Sequence, residues 1–450
     1  MKKCQRLFDR SLCTLHDESG TLRLFSLAVP IFMGLVFNLL LGTVNTIALT
    51  RVSNEAVTAV NVSNTVIGIP LVLINMAVNG MLVLLSLSLG GGRKSNVRGI
   101  YKTGIIFSVA LSLIIAVALS VFSVPILKLM GLSGASLQGG TVYLRIRAAA
   151  LALTAITNCA TAMLRAHGFA RPTMIAGIIS NLINACGSVF VVTPFYSGDK
   201  IVGVAVMAVL GQLIGAVYAL ASLTKTIGRT DEKPSCRYLR HILSVGVPGG
   251  ISLLVYNIST VFSTSVLTNL GEEVINVKVY VSTVSGYTYL FGLAIAQSAA
   301  MMIGRHVGAG HYDSAKKLFL QTVRTVPLLN LALSALVFLF SNRIMLAFTS
   351  DPALISTAHT VFLIDIAVEF FRGISHVGEN SLCSVEDTVF TSSVAIPASL
   401  IIGIFGCWLF SVKLNLGIYG YYAAAVMDEA LRSTVYRIRF QKGRYIKRFN

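Results

Sequence analysis

The chain has 450 residues, of which 55% are hydrophobic and only 12% charged, and it carries a formal net charge of +18. A soluble protein has about 25% charged residues, so a soluble domain is excluded and the class is a polytopic membrane protein. The positive balance does not point to nucleic acid, because Lys and Arg lie in short segments between apolar runs, which is a topology signal. Runs long enough to cross about 30 Å of hydrocarbon fall at 24–48, 58–89, 103–125, 142–164, 172–195 and 201–224. Six more follow at 241–268, 278–303, 320–341, 355–382, 389–412 and 416–438. Twelve transmembrane helices are therefore expected, in an all-α fold.

The basic residues orient these helices. The N-terminus, the segments near 90–102, 164–172, 225–240 and 304–325, and the C-terminal tail hold 26 of the 36 Lys and Arg residues. The segment at 383–388 belongs to this set but carries none. The alternate loops hold only Arg51, Lys128, Lys200, Lys278, Arg343 and Lys413. That bias places both termini in the cytoplasm of a multi-pass protein of the cell (inner) membrane. The seven cysteines show no CxxC and no metal-like spacing with histidine. Cys4, Cys13 and Cys236 fall in cytoplasmic segments, so no disulfide and no metal site are expected. The first apolar run begins only near Leu24 and lacks a small-residue cleavage site, so no cleavable signal peptide is expected.

An internal repeat organises the chain. A shift of 218 residues pairs Ser26 with Ser244, Pro30 with Pro248, Thr46 with Thr264, Gly68 with Gly286 and Leu164 with Leu382. It also pairs Gly90 and Gly92 of LGGGRKSNVR with Gly308 and Gly310 of VGAGHYDSAKK. Six helices per half is an even number, so both halves enter the membrane in the same sense. The expectation is two six-helix bundles related by a pseudo-two-fold along the membrane normal, with a cavity between them. The divisions are a cytoplasmic segment (1–23), an N-lobe (24–224), a linker (225–240), a C-lobe (241–440) and a tail (441–450). No segment has room for a nucleotide-binding domain, so energy has to come from an ion or substrate gradient. GGGRKS (90–95) lacks the GxxxxGK[ST] spacing of a phosphate loop and reads as a cytoplasmic turn.

Charge inside the apolar runs is the third signal. Asp365, Glu369, Arg372, His376 and Glu379 recur at steps of four, three, four and three, which stacks them along one side of a helix. Asp428, Glu429 and Arg432 repeat the theme two runs later. Each buried Arg or Asp costs about 2.5–3.5 kcal/mol at mid-bilayer, so such groups face a polar cavity or one another. Two readings fit: a cation-coupling site, or ion pairs that fasten helices. For Glu379, solvation at the cytoplasmic end is the favoured reading. Counterparts in the first half are neutral, with Leu151 for Glu369, Thr154 for Arg372 and Gln212 for Glu429, so coupling is expected in the C-lobe alone. Asn38, Asn45, Asn75, Asn79, Asn158, Asn181 and Asn184 supply neutral polar groups in the first half. Tyr280, Tyr287 and Tyr289 can offer aromatic faces to a cation.

Two six-helix halves opening on AVP (28–30) and GVP (246–248), with glycine-basic loops after helices two and eight, resemble the multidrug and toxic compound extrusion (MATE) family. LRAHGFARP (164–172) followed by SNLINACGSVFV (180–191) is similar to that family's helix-four-to-five signature, and SLCSVEDTVF (381–390) to its degraded partner. E-x-x-R (369–372) and DEALR (428–432) resemble a bacterial subgroup with charged residues in helices ten and twelve. The resemblance implies a secondary antiporter that couples inward H⁺ or Na⁺ to export of amphipathic, often cationic compounds through a cleft between two lobes. Members often carry an aspartate in helix one where this chain has Asn45, and some a helix-seven glutamate where it has Tyr256, so an N-lobe proton switch is not expected. The candidate coupling residues are Asp365, Glu369, Arg372, His376, Asp428, Glu429 and Arg432. The candidate cavity residues are Asn38, Asn45, Tyr256 and Tyr287. No cofactor is expected beyond the coupling ion; the partners are a small-molecule substrate and the bilayer, without nucleic acid, and the chain is expected to act as a monomer. A lipid-linked saccharide flippase is the nearest alternative, but it calls for several unopposed bases. An integral-membrane enzyme is a further one, but HExxH and GxSxG are absent.

Overall fold

Helices begin and end in this chain with the same period as its sequence repeat. The computed structural model describes residues 14–17, 20–50, 54–193, 196–227 and 233–448. A short antiparallel ladder, β1 (Thr14–Asp17) with β2 (Gly20–Arg23), precedes the first span and is the one departure from an all-helical chain among those residues. The first repeat contains α1 (Leu24–Thr50), α2 (Asn54–Gly90), α3 (Lys94–Val121), α4 (Ser123–Leu129), α5 (Gly134–Ala149), α6 (Leu151–Ala166), α7 (Ala170–Val192) and α8 (Lys200–Ile227). The second contains α9 (Cys236–Thr268), α10 (Glu272–Gly308), α11 (Tyr312–Met345), α12 (Pro352–Ser384), α13 (Thr388–Ala398) and α14 (Gly417–Gln441).

Asn54 and Glu272, Lys94 and Tyr312, Gly134 and Pro352, and Ala170 and Thr388 each open a helix, and every pair is separated by 218 residues. The turns match as well. Gly92 and Gly310 have φ of +68° and +77°, and Gly168 and Glu386 have +92° and +63°. A chain reversing direction within two residues needs that left-handed backbone, which glycine adopts freely. Glu386 adopts it at a cost of about 1–2 kcal/mol.

Eleven stretches among the described residues are long and apolar enough to cross a membrane. The twelfth expected span is α14, which at 25 residues extends about 37 Å. Its apolar run is broken by Asp428, Glu429, Arg432, Arg437 and Arg439. Several helices outrun the expected limits: 278–303 becomes Glu272–Gly308, and 320–341 becomes Tyr312–Met345. Hydropathy registers the part of a helix that lies in hydrocarbon, whereas the backbone keeps its hydrogen bonds into the polar interface. Lys278, assigned above to an outer loop, lies instead in the second turn of α10 and is buried.

Beyond α13 the same span continues as two π-helical stretches, Ser399–Gly406 and Leu409–Lys413, just after Pro397. Widened turns misalign backbone carbonyls that lipid cannot satisfy. Two serines of α9 meet this need: Ser259 Oγ donates to the Ser399 carbonyl at 2.6 Å, and Ser263 Oγ to that of Gly403 at 2.7 Å.

By internal contacts the chain divides into two compact units. One draws on residues up to Phe32, on Leu89–Gly92 and on Pro248 onward; the other is Met33–Ser88 with Arg93–Val247. In the first of these, α12 is central and packs against α10, α11 and α14. Val277, Val281, Phe362, Val368, Ile418 and Tyr422 form its apolar core. Close approach depends on missing side chains. A Cβ on Gly373 would lie 3.0 Å from the Pro327 Cα, and one on Gly378 only 2.6 Å from the Tyr436 Cβ. Gly378→Val is expected to wedge α12 from α14 and cost about 1–3 kcal/mol, the usual range for overpacking. Thermal unfolding of the purified variant in detergent should show a lowered midpoint; an unchanged midpoint would mean the two helices do not need this contact.

Candidate functional site

The sequence ladder and the charged segment of α14 meet. Four of the five ladder residues, Asp365, Arg372, His376 and Glu379, line a cavity of about 490 Å³ together with Glu429 and Arg432 of α14. Glu369 lies behind that wall, wholly buried. A smaller cavity of about 60 Å³ adjoins the same residues and reaches Asp428, Ser399 and Gly403.

Arg372 joins the two helices. It pairs with Glu369 one turn back on α12, and its Nε donates to Glu429 Oε1 of α14 at 3.3 Å. Arg432 pairs with Asp428 on its own helix, with Nε donating to Oδ1 at 2.9 Å, and its Nη2 donates to Ser399 Oγ at 3.2 Å. Aromatic rings cover both guanidinium groups. Tyr289 of α10 lies 5.8 Å from Arg372 and Tyr256 of α9 lies 5.8 Å from Arg432, by ring centroid. The His376 ring also stacks on Tyr289, with centroids 6.0 Å apart.

The acids are held unequally. Ser285 Oγ of α10 donates to Asp365 Oδ2 at 2.5 Å. Glu369 and Glu429 each engage Arg372 through Oε1, while the Oε2 atom of each is buried with no hydrogen-bond partner. A buried acceptor without a partner costs about 1–3 kcal/mol, and more for a charged group. Counting Asp365, Glu369, Glu379, Asp428 and Glu429 against Lys278, Arg372 and Arg432, the acids exceed the permanent bases by two. Such a site favours protons or other cations. Among the described residues no group of three or more His, Cys, Asp and Glu side chains is arranged around a metal position.

Several expectations need correction. Glu379 lines the cavity instead of standing in solvent at the helix end. Tyr287 does not line this cavity, whereas Tyr289, two residues on, does, because α10 presents Ser282, Ser285, Gly286 and Tyr289 to it. Tyr280 packs on Phe348 instead. Tyr256 does line the cavity. Asn38 lies outside it, in the other unit, accepting from Asn181 Nδ2 at 2.9 Å. Asn158 donates likewise to Asn75 at 2.9 Å, so these amides satisfy one another across helices. The side chain of Asn45 falls outside the described residues. Sequence reasoning missed Lys278, which lines the cavity and whose Nζ donates to Thr264 of α9; only its position within α10, not its residue type, distinguishes it from a loop base. It also missed Ser285 and the serines beneath the π stretch, which are indistinguishable in sequence from packing hydroxyls.

In the other unit, the matching positions are neutral. Gln212 of α8 stands where α14 has Glu429, and its Nε2 donates to Thr157 Oγ1 of α6 at 3.3 Å. Thr157 precedes Ser375 by the repeat length.

Comparison with known proteins places the chain among transporters. The family model described as MatE matches residues 30–190 and 248–409, well over half of the chain. The uncharacterized transporter YisQ of Bacillus subtilis is 27% identical over 96% of this chain and 98% of its own length. The probable multidrug resistance protein NorM of Thermotoga maritima is 22% identical over 94% of this chain and 93% of its own. Among solved structures, MATE in its bent conformation superposes with a TM-score of 0.87 at 18% identity, covering 95% of this chain and 96% of the other. A MOP superfamily transporter from Pyrococcus furiosus, described as having a binding pocket of reverse polarity, superposes with a TM-score of 0.86 at 18% identity, covering 93% and 95%.

Arg372→Gln is expected to leave the Glu369 and Glu429 carboxylates buried without a counter-charge, costing about 3–5 kcal/mol. Thermal unfolding in detergent should show a large drop for this variant and a partial recovery in Arg372→Gln/Glu369→Gln. Equal drops in the two would mean the carboxylates are not electrostatically tied to Arg372.

Proposed function

Because this chain belongs to the multidrug and toxic compound extrusion (MATE) family, we propose that it is a secondary active efflux transporter, a cation-coupled antiporter that exports amphipathic or cationic small molecules by alternating access. The observation that carries this reading is Glu369: a wholly buried carboxylate behind the cavity wall, with one oxygen on Arg372 and the other without a partner. A proton or a Na⁺ ion satisfies that oxygen and cancels its charge. Arg372 is then shared less with Glu369 and more with Glu429 on the neighbouring helix, so ion occupancy on α12 alters the attraction between α12 and α14. The surplus of acid over base makes the same cavity attractive to a cationic substrate, which competes with the ion for negative charge. Ion and substrate in turn then exchange rather than travel together.

The magnitudes are adequate. One charge crossing 100 mV releases about 2.3 kcal/mol, and at about 1.4 kcal/mol per decade that supports a concentration ratio of roughly fifty. In this reading both termini face the cytoplasm, following the distribution of Lys and Arg, and a single chain is the working unit without a catalytic step. A flippase for a pyrophosphate-linked lipid fits less well, since Arg372 and Arg432 are both committed to carboxylates.

In everted vesicles, Glu369→Gln is expected to abolish substrate-induced movement of H⁺ or Na⁺, tested under separate pH and Na⁺ gradients, while the protein still inserts and remains monodisperse. Normal ion movement in that variant would move the coupling site off α12.

A further inference from the structure

One position departs from the neutral pattern of the N-terminal unit. Arg147 of α5 precedes Asp365 by the repeat length, so a base stands there where the other unit has an acid on its cavity wall. No carboxylate pairs with Arg147 among the described residues, and its Nε is buried without a hydrogen-bond partner. Arg145, two residues earlier, is exposed and settled: its Nε donates to the Ser120 carbonyl at 3.2 Å and to Ser123 Oγ at 3.0 Å. Arg147 shares a helix face with Tyr143, which belongs to the apolar core of this unit with Val60, Val204 and Ala205. The Tyr143 hydroxyl sits beside the guanidinium and donates to Asn64 Oδ1 of α2 at 3.2 Å. Glu55, the one acid of α2, is nine residues from Asn64, about 14 Å of helix.

Open space follows the same register. A Cβ added to Gly34, Gly68 or Gly177, all helical, would meet nothing within 4 Å. The repeat length carries these three to Ser252, Gly286 and Ala395, each of which lines the cavity of the other unit. It carries Asn64 to Ser282, another lining residue. On Gly80, Gly104, Gly187 and Gly211, by contrast, a Cβ would come within 2.6 Å of a neighbour. Room therefore belongs to the face that Arg147 and Asn64 share, and not to the glycines of this unit in general.

We propose that Arg147, Tyr143 and Asn64 form a binding site for a small aliphatic carboxylate within the N-terminal unit, opposite in sign to the acid site at Asp365. A guanidinium presents parallel N–H donors that match the two oxygens of a carboxylate. Its buried Nε gains the acceptor it lacks, and the phenol and amide beside it add further donors.

Binding is measured on the purified full chain in detergent, by calorimetric titration and by the rise in thermal midpoint, so that no ion gradient and no transport step enters. The probes are sodium propionate, sodium chloride and sodium phosphate at constant ionic strength. Propionate is expected to bind saturably, and about tenfold more tightly than chloride, which meets the fork at one point. Arg147→Gln should weaken propionate by about ten- to a hundredfold, the value of one charge-assisted hydrogen bond. Arg147→Lys should keep the charge but lose the preference for propionate over chloride. Asn64→Ala, which leaves the arginine in place, should weaken propionate by about three- to tenfold and decides the matter if Arg147→Gln does not fold. Arg145→Gln should change nothing. Propionate affinity unchanged in Arg147→Gln or in Asn64→Ala, or a wild type that binds phosphate or chloride as tightly as propionate, overturns the site. None of these outcomes bears on export, which the Glu369→Gln vesicle measurement tests.

Discussion

A guanidinium shared between two carboxylates that are themselves buried is the interaction on which this molecule's C-terminal unit depends. Arg372 joins Glu369 on its own helix to Glu429 on the next. Taking the arginine away leaves two buried charges with no counterpart in low dielectric, which is why removing one partner is strongly destabilising even though forming such a cluster is nearly neutral. The surrounding architecture serves that contact. Glycines at 373 and 378 let α12 approach Pro327 and Tyr436 closely, and the rings of Tyr256 and Tyr289 lie over the two arginines. At the far end, Arg439 of α14 pairs with Asp387 at 2.7 Å and lies 4.3 Å from the Phe390 ring, so α14 is held at that end too.

Much of this was legible before any coordinates. The glycines repeated at one offset at 90 and 92 and at 308 and 310 betray helix ends, because turns and chain reversals demand backbone conformations that few residues adopt. The matched φ values at Gly92, Gly310, Gly168 and Glu386 show the backbone of the repeat persisting even where Glu386 has replaced the glycine. The ladder on α12 was legible because an ionisable residue every turn has a high cost in hydrocarbon, and cost leaves a trace in composition. What could not be read were direction and depth. Tyr287 and Tyr289 differ by two residues and thus by more than half a helical turn, enough to put one ring on the cavity and the other off it. Lys278 sits close to a helix end, where a base in a loop and a base in the first turns look identical in a hydropathy trace. The role of Ser259 and Ser263 is invisible without the π-helical stretch they face.

The two units share an outline and differ in chemistry. Where one has Glu429, the other has Gln212 bonded to Thr157, and its asparagines pair among themselves. A neutral amide holds a helix pair together at a modest but pH-independent strength; an ion pair does so at a strength that depends on every proton and cation nearby. The duplicated scaffold thus carries one constant half and one half sensitive to its ionic surroundings.

The serines beneath the π stretch have a further consequence. Ser259 and Ser263 donate to main-chain oxygens, not to side chains, of the span after Pro397, and Arg432 reaches Ser399 from α14. A shift of α9 along this span breaks both hydrogen bonds at once. The three helices are thus linked at one level of the unit, and a displacement of any one of them strains its bonds to the others.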